Sequence, residues 1–385
     1  MTRVFIKGVG LTKVEEHWDR DIDYLMTEAA LDAVKNSATE RIDAIYVGNV
    51  SAEVMQYQAQ LGAVASEQLG LIGVPSIRVE AADASGAVAL REAYMAIASG
   101  LIKAALVIGV EKLSDGTLEE IMGITSMFDR YDYAGYQGIT QTSLAALLYR
   151  HYLERYEVPQ EYVAQFPVIM HENASTAPHA QYRFKISIES VMNSPIVSEP
   201  LRRLECTAAA DGAAALILCG EDSLEKADRS NAVEVAAVSM STDFVSPFDR
   251  EDPLKLNAAS LAFNDSLARA KINRRDVNII ELHDSFSILA ALILESIGYS
   301  QEGRAGIDAK SGRYSLNGEL PINTFGGLKA RGHPFGATGI YQVAELYLQL
   351  AGLAGKNQVD NARVGAALSL GGLGATAVST VLRSG

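Results

Sequence analysis

A single carboxylate stands in a turn made of small residues. The stretch RVEAADASGAVAL (78–90) places Asp83 between a β-rich run and a helix-like run that opens near Gly86. The residue at the tip of a strand-to-helix turn lies near free backbone N–H groups, and enzymes often hold a nucleophile there. A carboxylate is a weak nucleophile. The turn therefore predicts a reactive site with an unusual residue at its centre.

Two histidines occupy comparable positions elsewhere in the chain. His333 opens HPFGATG (333–339), a turn that precedes a helix-like run, and His283 follows an apolar strand in ELHDSFSI (281–288). Imidazole is the side chain best suited to move protons near neutral pH. We predict functional roles for both. The other histidines lack the close spacing of a metal motif, so we assign them no role and expect no metal site: His17, His151, His171 and His179.

Strand-like and helix-like segments alternate around these residues. DYLMTEAALDAVKN (23–36) has apolar residues at helical spacing, and AIYVGNV (44–50) and KAALVIGVEKL (103–113) are apolar runs typical of buried strands. This alternation predicts an α/β layer structure with a mixed or parallel sheet. The apolar positions that indicate the first helix are Leu25, Ala29, Leu31 and Val34.

The same order of segments returns in the second half of the chain. Asp43 and Asp276 precede similar apolar strands, at an offset of 276 − 43 = 233 residues. The Asp83 turn then corresponds to the His333 turn, at an offset of 333 − 83 = 250 residues. We interpret this as an internal duplication related by a pseudo-two-fold axis. It predicts that Asp83 and His333 lie close together.

Length and composition exclude several classes of protein. A chain of 385 residues predicts two or more packed units, and a formal net charge of -14 argues against sequence-independent nucleic-acid binding. The two cysteines, Cys206 and Cys219, are too few for a disulfide framework or a zinc ribbon. The sequence shows neither a signal-peptide core nor an apolar run of membrane-spanning length. We expect a cytoplasmic protein without membrane contact.

Four stretches together resemble the thiolase family, in its archaeal and sterol-carrier-protein branch. They are VEAADASGAVAL, ELHDSFSI, NTFGGLKARGHPFGATG and ALSLGGLGATAV. The resemblance implies a thiolase fold, in which duplicated βαβαβαββ halves form a five-layer αβαβα sandwich with an inserted loop domain. The expected division is an N-terminal half from 1–113 and 205–225, an insert at 114–204 and a C-terminal half at 226–385.

The resemblance also implies roles for individual residues. In the family a cysteine at the first turn attacks the acyl thioester, a Gly-His-Pro histidine activates it, and a second cysteine moves the proton of the C–C bond step. His333 matches the activating histidine. His283 matches a residue that helps to build the oxyanion hole for the enolate, and Gly371 matches a backbone N–H donor of the other hole. The two cysteine positions hold Asp83 and Ser369.

These two departures leave the activity open. The leading expectation is a thiolase-like acyltransferase acting on acetyl-coenzyme A and acetoacetyl-coenzyme A, as in lipid metabolism and the mevalonate pathway. Attack by Asp83 would give a high-energy mixed anhydride. The alternatives are an engineered nucleophile substitution, a coenzyme-A-binding scaffold subunit, and a decarboxylase of β-carboxyl acyl thioesters.

The expected ligands and partners follow from the same resemblance. Coenzyme A or an acyl-coenzyme A is the substrate, and no covalently bound cofactor is expected. The family implies a homodimer or homotetramer, with a hydroxymethylglutaryl-coenzyme A synthase and a small OB-fold, zinc-ribbon protein as further partners. Basic residues of the insert either meet coenzyme A phosphates or form a solvated cluster: Arg183, Lys185, Arg202 and Arg203.

Overall fold

The protein folds as alternating strands and helices in a computed structural model that describes residues 2–37, 39, 41–224 and 232–384. The strands are β1 Val4–Leu11, β2 Ala44–Gly48, β3 Ser76–Val79, β4 Ala104–Glu111, β5 Ile196–Ser198, β6 Leu201–Arg202, β7 Gly212–Gly220, β8 Val233–Thr242, β9 Ile279–Leu282, β10 Val364–Gly371 and β11 Thr376–Ser384. The helices are α1 Ile22–Ser37, α2 Ala52–Met55, α3 Leu61–Gln68, α4 Ser85–Ala98, α5 Leu118–Ser126, α6 Gln141–Tyr156, α7 Gln160–Val163, α8 Gln165–Ala174, α9 Ile188–Met192, α10 Asn257–Ala270, α11 Ser287–Ser296, α12 Ala305–Lys310 and α13 Thr338–Leu350.

Nine strands form one mixed sheet in the order β3-β2-β4-β7-β1-β8-β11-β10-β9. Strand β2 pairs in parallel with β3 and β4, and β9 pairs in parallel with β10. The remaining pairs in this sheet are antiparallel. Helices cover both parallel regions, and β2, β4, β9 and β10 are almost entirely buried, whereas β3 at the edge of the sheet is partly exposed. The predicted mixed α/β sheet is confirmed.

The sheet consists of two halves with the same internal order. From the junction outward, the first half reads β1-β7-β4-β2-β3 and the second half reads β8-β11-β10-β9. A single parallel bridge between Ile280 and Ile322 lies beside β9, where the first half has β3. The two first strands, β1 and β8, pair antiparallel at the junction. This symmetry confirms the duplication predicted from the sequence.

Helices form three layers against the two half-sheets. Helices α1 and α3 cover the outer face of the first half-sheet, and α10 packs on β8 and β11 of the second. Helices α4 and α13 contact each other and strands of both halves, so they form the central layer. The result is the expected five-layer αβαβα arrangement.

Helices α4 and α13 of the central layer pack closely against each other because glycines lie at their contact. A β-carbon on Gly86 would come within 2.5 Å of the Gly336 carbonyl oxygen, and one on Gly339 within 2.6 Å of the Ala87 nitrogen. Distances this short exclude any side chain without backbone movement. The N-terminal ends of α4 and α13, with the turns that precede them, therefore lie side by side.

Two sequence predictions outside the sheet have different outcomes. The helix predicted from 23–36 is confirmed as α1, but Leu31 was wrongly placed on its apolar face, since it is 54% exposed. The buried face runs through Leu25, Ala29 and Ala33, at a spacing of four residues. The segment between β4 and β7 carries α5 to α9 with β5 and β6; the division at 113/114, 204/205 and 225/226 stays a prediction.

In the described part of the chain, no helix combines the length and the apolar character needed to cross a membrane.

Candidate active site

Asp83 is held in a tight turn between β3 and α4. Ala82, just before it, has a φ of 51°, a left-handed conformation that is strained for alanine. The Ser85 hydroxyl fixes the turn because it accepts from the Ala81 N–H at 2.9 Å and donates to the Ala82 carbonyl at 2.6 Å. The Asp83 side chain is buried, with its residue only 5% exposed. Strain kept in a buried turn is typical of a functional site.

His333 lies in the corresponding turn before α13 and is fixed by two contacts. Its Nδ1 is 2.8 Å from the Thr338 hydroxyl, which itself donates to the Pro334 carbonyl at 3.5 Å. If Nδ1 donates to this hydroxyl, the neutral ring carries its hydrogen on Nδ1. That tautomer leaves the lone pair on Nε2. Glu111, at the end of β4, accepts from the Gly336 N–H at 2.9 Å and holds the turn from the first half.

His283 follows β9, and the aspartate beside it fixes the loop. The Asp284 carboxylate accepts from the Leu328 N–H and from the Asn323 side-chain amide, both at 2.7 Å. These bonds join the end of β9 to the segment before His333. The His283 ring is fully buried, and neither of its nitrogens has a hydrogen-bond partner among the residues that the structure describes.

The three side chains converge on one point. Asp83 Oδ1 lies 3.6 Å from His333 Nε2, and Asp83 Oδ2 lies 3.8 Å from His283 Nε2. The two imidazole rings are edge to face, with centroids 5.3 Å apart. The predicted proximity of Asp83 and His333 is confirmed, and His283 joins them. These distances are slightly longer than hydrogen bonds.

Burial sets the protonation states of this cluster. It raises the pKa of Asp83 to about 7, although the nearby His283 and the Gly372 N–H both favour the ionised carboxylate. Burial also lowers the pKa of His283 and of His333 to about 3. Both imidazoles are therefore neutral at pH 7. The Asp83 carboxyl can therefore gain or lose a proton near neutral pH, with two neutral imidazoles beside it.

A cleft of about 170 Å³ opens onto Asp83 and His333. Its walls come from both halves and from the segment between β4 and β7, and most of the lining is apolar. Phe128 and Phe335 stack edge to face at 5.7 Å in one wall. The other lining residues are Leu118, Ile121, Met122, Thr125, Gln141, Thr142, Cys206, Thr207, Ala208, Ala209, Ser285, Phe286, Gly372 and Leu373.

The glycine-rich segment at the end of β10 lines the cleft with Gly372, whereas the residue predicted from the sequence is Gly371. Gly371 ends β10 and faces backbone, since a β-carbon there would lie 2.6 Å from the Ala81 carbonyl oxygen. Gly372, with φ at 58°, lines the cleft and contacts Asp83. The role of Gly371 stays a prediction. Ser369 is buried in β10 and donates to the Gln342 side chain, away from the cleft lining, and its predicted role in proton transfer stays untested.

The basic residues predicted to meet coenzyme A lie outside the cleft lining. Arg202 donates to the Ser194 carbonyl at 3.0 Å, and Lys185 pairs with Glu172 at 2.5 Å. Arg183 and Arg203 are exposed and free to meet a ligand at the surface. The coenzyme-binding role of all four stays a prediction.

The cysteines do not replace the missing nucleophile. Cys206 lines the cleft, but burial raises the pKa of its thiol to about 12, so it carries no thiolate at neutral pH. Cys219 is buried in β7, in a small apolar cluster with Phe5 and Ala104 and outside the cleft lining. Neither thiol is placed to attack a thioester beside His333.

Sequence reasoning missed three residues that shape the site. Thr338 fixes the His333 ring, Glu111 holds its turn, and Phe335 forms one wall of the cleft. Thr338 and Phe335 belong to the HPFGATG motif itself, so their positions were available from the sequence. The only signal for Glu111 was a charge at the end of an apolar strand.

Comparison with protein families identifies both halves. Residues 4–222 match the thiolase N-terminal domain, and residues 239–384 match the thiolase C-terminal domain-like family. The chain is 40% identical over 379 residues to an acetyl-CoA acetyltransferase of Methanothermobacter thermautotrophicus, with 98% of each chain covered. It is 32% identical over 406 residues to sterol carrier protein 2 of Oryctolagus cuniculus, covering all of this chain and 72% of that protein.

Solved structures show the same fold. The chain superposes on a structure described as the Ltp2-ChsH2(DUF35) aldolase with a TM-score of 0.85 and 20% sequence identity, covering 99% of this chain and 98% of that one. At this identity the likeness concerns the fold alone.

Proposed function

This chain belongs to the thiolase family, and on that basis we propose that it binds an acyl-coenzyme A and makes or breaks a carbon–carbon bond beside the thioester carbonyl. We place the reaction among those of thiolase-family acyltransferases, with acetyl-coenzyme A and acetoacetyl-coenzyme A as the proposed substrates; a relative 40% identical to this chain is an acetyl-CoA acetyltransferase. One observation carries the proposal. Asp83 and His333 line a cleft that both halves build, and the buried His283 lies 3.8 Å from the Asp83 carboxylate.

The chemistry proposed for the cluster is formation of an enolate. The carboxylate of Asp83 takes a proton from the carbon next to the thioester, and the negative charge moves onto the thioester oxygen. A ring N–H of His283 stabilises that oxygen, as a preplaced donor in a dry site does best. His333 Nε2, 3.6 Å from the carboxyl, exchanges the proton with Asp83. Only a proton moves between the substrate carbon, Asp83 and His333, so no oxidant or reductant is needed.

Covalent acyl transfer through Asp83 is not part of this proposal. Attack by a carboxylate on a thioester forms a mixed anhydride and expels a thiolate, which leaves a less stable acyl group than the starting thioester. The protonated thiol of Cys206 is a poor substitute. The C–C bond step therefore takes place on a non-covalently bound acyl-coenzyme A.

Exchange of the α-protons of acetyl-coenzyme A tests enolate formation directly. We expect the protein in D₂O to exchange these protons, measured by proton NMR, and to lose the exchange in Asp83→Asn. His151→Gln serves as the control, since His151 lies on α6 outside the cleft. Coenzyme A binding without any exchange in the unaltered protein would reject enolate formation. It would favour the alternative, a binding or scaffold subunit.

Cleavage of a β-hydroxyacyl-coenzyme A is a second candidate, favoured by the carboxyl group in place of a nucleophile. Asp83 would take the hydroxyl proton, and the bond between the α and β carbons would break with its electron pair moving into the thioester enolate. The β carbon would leave as a ketone or aldehyde, and the enolate would be protonated. Cleavage in the absence of free coenzyme A separates it from thiolysis, which consumes coenzyme A.

Decarboxylation of a β-carboxyl acyl thioester passes through the same enolate. Loss of carbon dioxide needs the oxyanion donors but no base. Release of carbon dioxide from malonyl-coenzyme A, retained in Asp83→Asn and lost in His283→Ala, would support it. Absence of release would reject it.

We also propose that the chain works in an assembly. The expected partners are a second copy of the chain, a hydroxymethylglutaryl-coenzyme A synthase and a small OB-fold, zinc-ribbon protein. The neighbouring aldolase is itself described together with a DUF35 component. Light scattering of the purified chain tests the homo-oligomer, and co-expression with the two candidates followed by copurification tests the rest. A monomer that copurifies with neither would reject the proposal.

A further inference from the structure

We propose that Asp83, His283 and His333 form a binding site for one divalent transition-metal ion, of the Zn²⁺ or Co²⁺ type. One ligand atom from each residue lies within 4.8 Å of the other two, and all three residues are buried. Two imidazoles and one carboxylate, with further positions open, are a common ligand set for such ions. The site rests on the same residues as the proposed function, but metal binding is measurable without any reaction.

The spacing of the ligand atoms is close to what a metal ion requires. Bonds of about 2.0–2.1 Å in a tetrahedral site separate neighbouring ligand atoms by about 3.3 Å. Asp83 Oδ1 lies 3.6 Å from His333 Nε2 and Asp83 Oδ2 lies 3.8 Å from His283 Nε2, and one ligand atom from each residue lies within 4.8 Å of the other two. A contraction of up to about 1.5 Å between ligand atoms, by rotation of the side chains, would bring both imidazoles and the carboxylate onto one ion.

Unused polar atoms point to a ligand at this place. Asp83 Oδ1 and both ring nitrogens of His283 are buried without a hydrogen-bond partner among the described residues. Buried polar atoms are nearly always satisfied, so such a group of three needs an explanation. An ion bound by Oδ1 and a ring nitrogen would satisfy two of these atoms at once.

The surroundings also resemble those of metal ligands. His333 is oriented through its Nδ1, which contacts the Thr338 hydroxyl at 2.8 Å and leaves Nε2 for the ion. Ligating histidines usually have such a second hydrogen bond. Asp83 and His333 border the cleft, so water or a thioester oxygen can complete the coordination. The positive charge of Arg331 acts on both histidines and disfavours a bound cation, and Glu345 pairs with Arg331 at 3.3 Å.

A bound ion would compete with the chemistry proposed above. Metal coordination uses the lone pairs of Asp83 and His333, which proton transfer needs. The metal-free form is therefore the form that exchanges α-protons, and Zn²⁺ is an inhibitor of that exchange. This part rests on the proposed function, whereas the binding site itself does not.

Cobalt absorption tests the site on tag-free protein treated with a chelator. We expect about one Co²⁺ per chain by equilibrium dialysis, with visible absorption bands of low-symmetry coordination. We expect Asp83→Asn and His333→Gln each to weaken binding by about tenfold or more, because each removes a ligand. The matched control His151→Gln changes a histidine outside the cluster and is expected to stay within about twofold of the unaltered chain.

A second measurement separates loss of binding from loss of folding. Zn²⁺ is expected to raise the unfolding temperature of the unaltered chain and of His151→Gln, since a ligand of the native state stabilises it. No rise is expected in the two cluster variants, whose circular dichroism should match the unaltered chain. Equal Co²⁺ affinity in the unaltered chain and Asp83→Asn would overturn the site. If Co²⁺ binds but the metal-free protein exchanges no α-protons, the proposed function fails while the metal site stands. If α-proton exchange persists at saturating Zn²⁺, the proposed competition between metal binding and proton exchange is overturned.

Discussion

Replacing Asp211 with asparagine tests how the wall of the cleft is held. Asp211 immediately precedes β7, at the end of the segment that lines the cleft, and its side chain is fully buried. Its carboxylate accepts from the Lys112 ammonium at 3.1 Å. It also accepts from three backbone N–H groups, those of His17 at 2.8 Å, Leu113 at 2.7 Å and Ser114 at 2.9 Å. One carboxylate therefore ties together the ends of β4 and β7 and the segment after β1.

The cost of the substitution follows from these contacts. Both carboxylate oxygens of Asp211 accept hydrogen bonds, but asparagine has only one acceptor oxygen. Its NH₂ group would therefore face N–H donors that the second oxygen satisfies in the unaltered chain. Lys112 also loses a buried counter-charge, although Asp115 remains 2.8 Å away. Removing one partner of a buried ion pair costs about 3–5 kcal/mol. We expect Asp211→Asn to lower the free energy of unfolding at pH 7 by about that amount.

The pH dependence has a definite sign. Hydrogen bonds from Ser114 and His17 and the charge of Lys112 lower the pKa of Asp211 below 3.8, against the effect of burial. A group with a lowered pKa stabilises the fold above its unfolded pKa and loses that contribution as pH falls through its folded pKa. The difference between Asp211→Asn and the unaltered chain should therefore be constant from pH 7 to pH 5 and narrow below about pH 4.

Urea unfolding at several pH values, followed by circular dichroism, measures this difference. Asp132→Asn is the matched control, since the Asp132 side chain is 73% exposed and pairs with Arg130 only at the surface. The control should change stability by less than about 0.5 kcal/mol. A loss of under about 1 kcal/mol for Asp211→Asn at pH 7, or a difference that widens as pH falls, would refute the reasoning.

Three further predictions concern the active site and the central helices. Asp83→Cys restores the family's nucleophile beside His333, and we expect thiolysis of acetoacetyl-coenzyme A, followed by loss of absorbance, to exceed that of the unaltered chain; an equal rate would contradict it. Thr338→Val removes the hydrogen bond to the His333 ring, so α-proton exchange should fall about threefold to tenfold, while the melting temperature falls by about 2–4 °C because a buried ring nitrogen loses its partner. An unaltered exchange rate would show that the bond does not position the ring. Gly86→Ala places a methyl group 2.5 Å from a backbone oxygen and should lower the free energy of unfolding, measured in urea, by about 1–3 kcal/mol. The control Gly123→Ala has open space around it and should leave this free energy unchanged or raise it. Equal stabilities of the two variants would contradict the close packing of the central helices.

Much of the fold could be predicted because its signals are local. Apolar runs such as 103–113 became buried strands, and helical spacing in 23–36 became α1. Leu31 shows where this reasoning ends, because spacing alone did not decide which side of α1 faces the sheet. The duplication carried more information than any single segment. It predicted that two turns far apart in sequence would meet, and Asp83 and His333 do.

The sequence by itself determined the thiolase family and the two-fold repeat, and it supplied the candidate reactive side chains, because these depend on residue type, order and spacing. Only the tertiary structure decided that His283 joins Asp83 and His333, that Gly372 reaches Asp83, and that the predicted basic residues lie outside the cleft lining. The physical reason is that distances, burial and unsatisfied polar atoms arise from packing between distant segments. Local sequence carries no record of them.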